Sequence, residues 1–337
     1  MLDFLNHTFL RKSFGSSSTG WLGIDFGSTA IKVVQLRKRR QQFECLQDTW
    51  LETPTLDDQC VLPFRAVDYT LPPAGVVTSN RWIEFEFEPK TSPIATAGIQ
   101  ENLQRHWSSG VAYLVADPEY RQAIQPKRLQ IAPGLTNWIG HQLLQAGIEP
   151  RIIDSPPWTL SRALTLIHGN KATNTSAILD WSASTPMLVV QRNGLPQFTR
   201  ILEIGGLLQI TESISERLKL SFAETIHYLK RIDKPTNPSL SNKRQNDWTT
   251  SLIAPQIRQL AGEISRSLHF LKWQCPTLLP SELYLSGGGA SLPCMVDQLQ
   301  NQLDIELRPW SLQTIDGHIL GPASAQAAAL SAMEWTS

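Results

Sequence analysis

The stretch WLGIDFGSTAIKVVQL, residues 21–36, decides the fold that this sequence predicts. Its apolar ends predict two short strands, and the small residues between them predict a turn. Gly27 would let the main chain come close to an anion, to which the N–H groups of the turn could point. Four side chains suit a nucleotide phosphate with a magnesium ion: Asp25, Ser28, Thr29 and Lys32. On its local pattern alone, an ordinary hairpin with a glycine turn explains the stretch equally well.

Three further features follow along the chain. An apolar strand ends in Asp180 and leads into the turn 181–185. A helix predicted over 223–233 carries Lys230. Near residue 290, a buried strand leads into three consecutive glycines, namely Gly287, Gly288 and Gly289. This order of hairpin, acid-led turn, lysine-bearing helix and glycine turn resembles the actin/Hsp70/sugar-kinase ATPase superfamily.

Within that superfamily, the chain resembles the PilM family of type IV pilus assembly proteins. The resemblance rests on the first hairpin, on the segment 198–206 (FTRILEIGG), on the segment 263–268 (EISRSL) and on the glycine triplet. It covers residues 20–335. It implies an α/β fold of the actin-like (ribonuclease H-like) type, with two lobes around a nucleotide cleft.

The resemblance also implies how the chain is divided. The expected parts are a tail and linker (1–20), a first lobe (21–56 and 148–176, with a C-terminal helix 323–335), an inserted peptide-binding subdomain (57–147) and a second lobe (177–322). The insert would correspond to the small subdomain, called 1C, of FtsA and PilM.

The turn after Asp180 departs from the superfamily pattern D-x-G-x-x-x-T. Asp180 matches this pattern and Thr185 provides its threonine one position early, but Ser182 stands where glycine is expected. Because serine resists a positive φ, close approach of this loop to a phosphate is less favourable. In the helix over 223–233, Lys230 matches the lysine of the family's adenosine-binding signature, whereas His227 stands in place of its acid.

The nucleotide site implied by the resemblance draws on all of these segments. Its residues are Asp25, Gly27, Ser28, Thr29, Lys32, Asp180, Ser182, Thr185, Lys230, Gly287, Gly288 and Gly289. Asp25 and Asp180 would hold Mg2+ through water, and the three glycines would lie against adenine or ribose. The expected ligand is ATP or ADP with Mg2+, with weak or absent hydrolysis, and no catalytic residue is assigned.

The function implied by the resemblance is that of a cytoplasmic scaffold of pilus assembly. It would dock on the N-terminal cytoplasmic tail of a PilN-like inner-membrane protein, lie peripherally at the inner face of that membrane, and link the envelope complex to the pilus motor ATPase. One alternative is an actin-fold ATPase or kinase, for which Asp154 is the candidate general base. Another alternative is an FtsA-like membrane-associated filament protein.

Composition narrows the classes of function. Thirty basic and thirty acidic residues give a formal net charge of zero, which argues against nucleic acid as a partner. The four cysteines are scattered without metal spacing and are expected to be reduced thiols. No apolar run approaches the roughly 20 residues that span a bilayer. Residues 1–14 show near-helical apolar spacing, which fits either a frayed or docked tail or a short interfacial helix.

Periodicity predicts most of the regular structure. Strands are expected over 82–88, 111–116, 149–154, 177–180 and 187–191, and helices over 136–146, 157–167, 207–219, 223–233, 253–271 and 323–335. Gly147 is expected to close the first of these helices, and residues 234–245 are expected to form a loop.

Overall fold

The computed structural model describes residues 19–52, 73–78, 83–89, 113–115, 124–131, 139, 143–144, 147–169, 175–232 and 243–336. The apolar N-terminal segment, most of the Gly/Ser linker and most of the expected loop 234–245 lie outside these residues. The chain divides into two compact units. Unit 1 comprises residues 1–88, 126–172 and 311–337, and unit 2 comprises residues 89–125 and 173–310.

Unit 1 is built on a five-stranded sheet. Its strands are β1 (Leu22–Phe26), β2 (Ala30–Arg39), β3 (Gln42–Glu52), β4 (Pro73–Thr78) and β8 (Glu149–Asp154), in the order β3-β2-β1-β4-β8. β1 pairs antiparallel with β2 and parallel with β4, and β4 pairs parallel with β8. The structure confirms the hairpin predicted within residues 21–36 and the strand predicted over 149–154.

Small residues bring a helix close to this sheet. The helices of unit 1 for which the structure gives complete ranges are α1 (Pro156–His168), α6 (Ala325–Ser331) and α7 (Met333–Thr336), and a 3-10 turn at Pro322–Ser324 precedes α6. α6 packs against β1, β2, β4 and α1. A Cβ atom added to Gly23 would lie 1.9 Å from the carbonyl oxygen of Ala327, so the glycine is required by this approach. The predicted helix 323–335 is therefore confirmed as two helices, and its alanines serve packing.

Unit 2 is built on a six-stranded sheet flanked by helices. Its strands are β6 (Tyr113–Val115), β9 (Ser176–Asp180), β10 (Met187–Arg192), β11 (Leu195–Ile201), β12 (Glu282–Ser286) and β13 (Glu306–Pro309), in the order β13-β12-β9-β10-β11-β6. Its helices are α2 (Leu207–Leu218), α3 (Phe222–Ile232), α4 (Lys243–Gln274) and α5 (Pro293–Gln300). The core of the unit includes the fully buried side chains of Trp181, Phe198 and Ile264.

Helix α4 is longer than the sequence predicts. It begins at Lys243 rather than at residue 253 and contains Pro255. Proline has no N–H group, so the helix lacks one main-chain hydrogen bond at this position. The sequence predicts a loop over residues 234–245, but residues 243–245 belong to α4.

The structure revises the boundaries of the expected insert 57–147. β4 lies within this segment, yet it is the strand between β1 and β8 in the main sheet of unit 1. Strand β6 also lies within it and pairs with β11 in unit 2. Two other strands of the segment, β5 (Ile83–Pro89) and β7 (Ile124–Ile131), form a two-stranded sheet of their own.

The other boundary that moves lies near the C-terminal end of the second lobe. A short hairpin of β14 (Leu312–Gln313) and β15 (Ile319–Leu320) belongs to unit 1, although residues up to 322 were expected in the second lobe. The N–H of Ile315 donates to the carbonyl oxygen of Phe43 over 2.8 Å, which ties this hairpin to β3.

The described residues of the helix predicted over 136–146, namely 139, 143 and 144, are helical, and Gly147 follows them as predicted. Gly147 has a φ of 73°, and its N–H donates to the carbonyl oxygen of Leu144 over 3.0 Å. A positive φ at this position favours glycine.

Among the helices described here, none combines the length and the hydropathy needed to cross a membrane.

Candidate functional site

The first hairpin places an acid and a base side by side. Asp25 on β1 and Lys32 on β2 are cross-strand partners, so their side chains lie on the same face of the sheet. The ammonium group of Lys32 donates to Oδ2 of Asp25 over 2.6 Å. The side chain of Lys32 is only 14% exposed and that of Asp25 only 6%, so this is a largely buried ion pair.

Gly27 is explained by the hairpin itself. Its N–H donates to the carbonyl oxygen of Ala30 over 3.0 Å and closes the turn, so this group is not available to a phosphate. An added Cβ would lie 2.8 Å from the same oxygen and 3.5 Å from the Nζ of Lys32. The Lys32 charge thus lies directly beside the turn, in which Ser28 and Thr29 are half-buried.

The second loop faces the start of α2 with its carbonyl groups. The carbonyl oxygens of Ser182, Ala183 and Ser184 accept the N–H groups of Leu207, Leu208 and Gly206 over 3.1, 2.8 and 2.7 Å. The first N–H groups of a helix are the ones that can bind an anion. Because the loop takes three of these groups in α2, that helix start is unsuited to a phosphate.

Ser182 fits its position without strain. Its φ is not positive, so the conflict expected from its Cβ does not arise. Its hydroxyl donates to the carbonyl oxygen of Thr185 over 2.7 Å, across the two ends of the turn. The serine therefore holds the loop in shape, which the family pattern did not predict.

The glycine triplet lies against the second loop. Gly287 has a φ of +86°, and an added Cβ would lie 2.7 Å from Oδ1 of Asp180. The N–H of Gly289 donates to the carbonyl oxygen of Trp181 over 3.0 Å, and a Cβ there would lie 2.5 Å from the indole ring. At Gly288 a Cβ would meet Cδ2 of Leu207 at 3.2 Å.

Unit 2 therefore brings together three segments that are distant in sequence. These are the loop 180–185, the start of α2 at 205–208 and the glycines 287–289. The sequence predicted the first and the last as parts of one site. It did not show the role of Trp181, which lies beneath the glycines and is 1% exposed.

Two residues of helix α3 that the sequence singles out are exposed to solvent. Lys230 and His227 lie on the exposed side of the helix, whereas Thr225 and Leu229 are buried.

Asp154 is engaged in unit 1. Its Oδ2 is ion-paired with Arg162 of α1, and its Oδ1 accepts the N–H of Ser155 over 2.8 Å. The hydroxyl of Thr159 lies 3.4 Å from Oδ2 and donates over the shorter distance of 2.8 Å to the carbonyl oxygen of Ser155. Both carboxylate oxygens of Asp154 are thus engaged within unit 1, so the geometry does not favour the kinase alternative.

A buried ion pair links the two motifs 198–206 and 263–268. Arg200 of β11 donates to the carboxylate of Glu263 on α4, and it also donates to the hydroxyl of Ser267 over 2.8 Å. Glu263 makes a second ion pair with Arg266. Both segments carry the family resemblance in the sequence, but the sequence does not indicate that they contact each other.

The side chains present fit a phosphate better than they fit magnesium. Lys32 offers a cation beside the first turn, and Ser28 and Thr29 offer hydroxyl donors. Asp25 does not fit the role of a magnesium ligand, because its charge is already balanced by Lys32. Among the residues that the structure describes, no three His, Cys, Asp or Glu side chains are placed to hold a metal ion.

Comparisons with known proteins agree with this architecture. A family model described as type IV pilus assembly protein PilM matches residues 140–310. A solved PilM-PilN type IV pilus biogenesis complex is similar at 19% identity, with a TM-score of 0.64 over 93% of this chain and 98% of that chain. The ethanolamine utilization protein EutJ from Carboxydothermus hydrogenoformans is similar at 12% identity, with a TM-score of 0.52 over 95% of this chain and 91% of that chain.

The search of curated proteins produced no match. The solved structures establish the fold class, which is actin-like as the sequence predicts.

Proposed function

Because this chain belongs to the family of the type IV pilus assembly protein PilM, we propose that it is a nucleotide-binding scaffold of type IV pilus assembly. The family match over residues 140–310 is the observation that carries this proposal. The scaffold acts in the cytoplasm at the inner face of the inner membrane. It links a membrane complex to the pilus motor ATPase.

The proposed ligand is ATP or ADP. In unit 1, Ser28, Thr29 and Lys32 provide the donors and the charge for a phosphate. In unit 2, the candidate nucleotide-binding residues are Asp180, Ser182 and Thr185 of the loop, the triplet Gly287, Gly288 and Gly289, and Lys230 on the exposed side of α3. The carbonyl groups of the second loop are fixed by α2, so the loop is not shaped to place an attacking water. Hydrolysis is therefore slow or absent.

The proposed partner is the N-terminal cytoplasmic tail of a PilN-like inner-membrane protein. The similar solved structure is itself a PilM-PilN complex, which motivates this partner. Within the segment 57–147, β5 and β7 form a separate two-stranded sheet. A small sheet with open edges can accept an extended peptide by main-chain pairing.

Binding of the partner's tail tests this function. A labelled peptide of that tail is titrated into the full-length protein, with a scrambled peptide of the same composition as the control. Saturable binding of the native peptide alone is expected. In cells, removal of the tail from the membrane protein should release the scaffold into the soluble fraction.

Two outcomes would contradict the proposal. One is equal binding of the native and scrambled peptides. The other is a scaffold that stays in the membrane fraction without the tail and leaves it when residues 1–14 are deleted, since the N-terminal segment would then be the anchor.

A further inference from the structure

The ion pair in the first hairpin has a consequence for the charge of the site. In the part of the chain that the structure describes, Asp25 is the acceptor for Lys32, and the two side chains are the cross-strand neighbours of one hairpin. Both are largely buried, so water screens their interaction poorly. An ammonium group has three donor hydrogens, and this contact uses one of them.

We propose that Lys32 is a built-in counter-ion of Asp25, so that the hairpin binds a nucleotide phosphate without a magnesium ion at Asp25. This inference rests on the proposed nucleotide-binding function and concerns the same site. It replaces the expectation from the sequence that Asp25 and Asp180 hold Mg2+ through water.

Electrostatics supports the exchange of a metal for an ammonium group. A bare carboxylate beside the turn would repel a phosphate, and a divalent cation would be one way to screen it. Here the ammonium group already balances that charge over 2.6 Å. A magnesium ion at the same carboxylate would lie beside a like charge in a poorly hydrated place, which is unfavourable.

The position of Lys32 also suits contact with an anion. Its Nζ lies 3.5 Å from where a Cβ on Gly27 would be, at the turn itself. Its remaining donors can therefore point to a phosphate at the turn while the pair with Asp25 is kept. The same residue then orders the acid and binds the ligand.

The dependence of binding on magnesium tests the inference in the full-length protein. ATP is titrated calorimetrically in excess Mg2+ and, separately, in EDTA. We expect the two dissociation constants to agree within about threefold, which is a small difference in free energy. Binding that requires Mg2+ would overturn the inference but leave the nucleotide site in place. No binding in either buffer would overturn both.

The variant Asp25→Asn gives the sharper contrast, because the amide keeps a hydrogen-bond acceptor for Lys32. If Lys32 serves as the counter-ion, removing the acid leaves an unbalanced cation, and affinity for ATP in EDTA rises by roughly tenfold. If Asp25 anchors a metal, affinity falls, and it falls only in the presence of Mg2+. That fall would contradict the inference.

Two lysine variants complete the test. Lys32→Arg keeps the charge, so binding should stay independent of Mg2+. Lys32→Met leaves Asp25 unbalanced, so ATP binding should weaken by about tenfold or more in EDTA and recover in part with Mg2+. Thermal unfolding shows whether each variant is folded, and Asp25→Asn decides the question if Lys32→Met is not. Lys32→Met binding that is equally tight in both buffers would contradict the inference.

Discussion

At the scale of single residues, the glycines of the candidate site are explained first by the protein's own packing. Glycine is needed at residue 289 because a Cβ would overlap the indole of Trp181. It is needed at residue 27 because a Cβ would lie too close to the carbonyl oxygen of Ala30, which closes the hairpin. From the sequence, both glycines were interpreted as room for a ligand. A loss of nucleotide binding in a glycine variant would therefore not by itself show a ligand contact.

The variant Gly289→Ala should lower the free energy of unfolding by about 1–3 kcal/mol, because its Cβ overlaps the Trp181 ring. Urea unfolding of the full-length protein measures this change. Gly321→Ala is the control, since a Cβ there meets nothing within 4 Å. Equal stability of the two variants would contradict the proposed role of the indole.

Cys45 offers a second test at this scale. Burial, followed by the charges of Asp48 and Asp316, raises the pKa of its thiol to about 12. Because the thiolate is the reactive form, iodoacetamide should modify Cys45 slowly at pH 8 although the residue is partly exposed. Peptide mass spectrometry follows the rate, and Asp316→Asn should increase it. A rate equal to that of a cysteine in an unfolded peptide would contradict this.

The predictability of the site also differs from residue to residue. The sequence predicted Lys32 near the phosphate turn, because a hairpin fixes which side chains are neighbours. It could not show that the hydroxyl of Ser182 bonds Thr185, since the bond depends on the exact path of the turn. The sequence likewise gives no sign that Asp154 pairs with Arg162, because this contact depends on how α1 follows β8.

At the scale of elements, β11 and α4 are joined by the Arg200–Glu263 ion pair. Among the described residues, Arg200→Met leaves the buried Glu263 with Arg266 as its ion-pair partner, so we expect a loss of about 3–5 kcal/mol in unfolding free energy. Adding Glu263→Leu should recover more than half of that loss, because both charges are then gone. Urea unfolding of the two single variants and the double variant gives the coupling energy. Additive losses would show that the pair is not coupled.

The start of α3 makes stability depend on pH. Ser221 and Glu224 form a capping box: the Ser221 N–H and hydroxyl donate to Glu224 over 2.8 and 2.7 Å. The hydroxyl of Ser221, and then its N–H, lower the pKa of Glu224 below its ordinary value. The stabilisation is therefore present above the ordinary pKa of a glutamate and is lost as pH falls through the lowered one.

The measurement is the difference in urea midpoint between the natural protein and Glu224→Gln, from pH 7 to pH 3. It should shrink as pH falls. Glu212→Gln on α2 controls for the general effect of removing an acidic side chain. A difference that stays constant over this range would contradict the capping role.

At the scale of the whole molecule, β4 decides how the segment 57–147 can be altered. Deletion of the entire segment removes β4 from between β1 and β8, so unit 1 should not fold. Replacement of residues 83–131 alone by a short linker keeps β4 and removes from the sheet of unit 2 only its three-residue edge strand β6, so it should preserve cooperative unfolding. Circular dichroism and limited proteolysis distinguish the two outcomes. Cooperative unfolding of both variants would show that β4 is dispensable.

The fold class could be predicted from the sequence because its motifs are short and local, such as the first hairpin and the glycine turn. Domain boundaries could not be predicted as well. Ala74 to Val77 are all buried, so β4 has no alternation of apolar and polar residues, and its partners are distant in the chain. Three residues of β6 give too little pattern to show that they join unit 2.

The packing of α6 on β1 has a consequence for biosynthesis. The hydroxyl of Ser331 donates to the main chain of Trp21, 310 positions earlier in the chain. While the ribosome is still translating the region between Trp21 and Ser331, α6 does not yet cover β1 at Gly23. Residues 173–310 of unit 2 emerge earlier and can already collapse. Nascent chains that stall before α6 should therefore expose the first sheet to chaperones, whereas chains that have passed it should not.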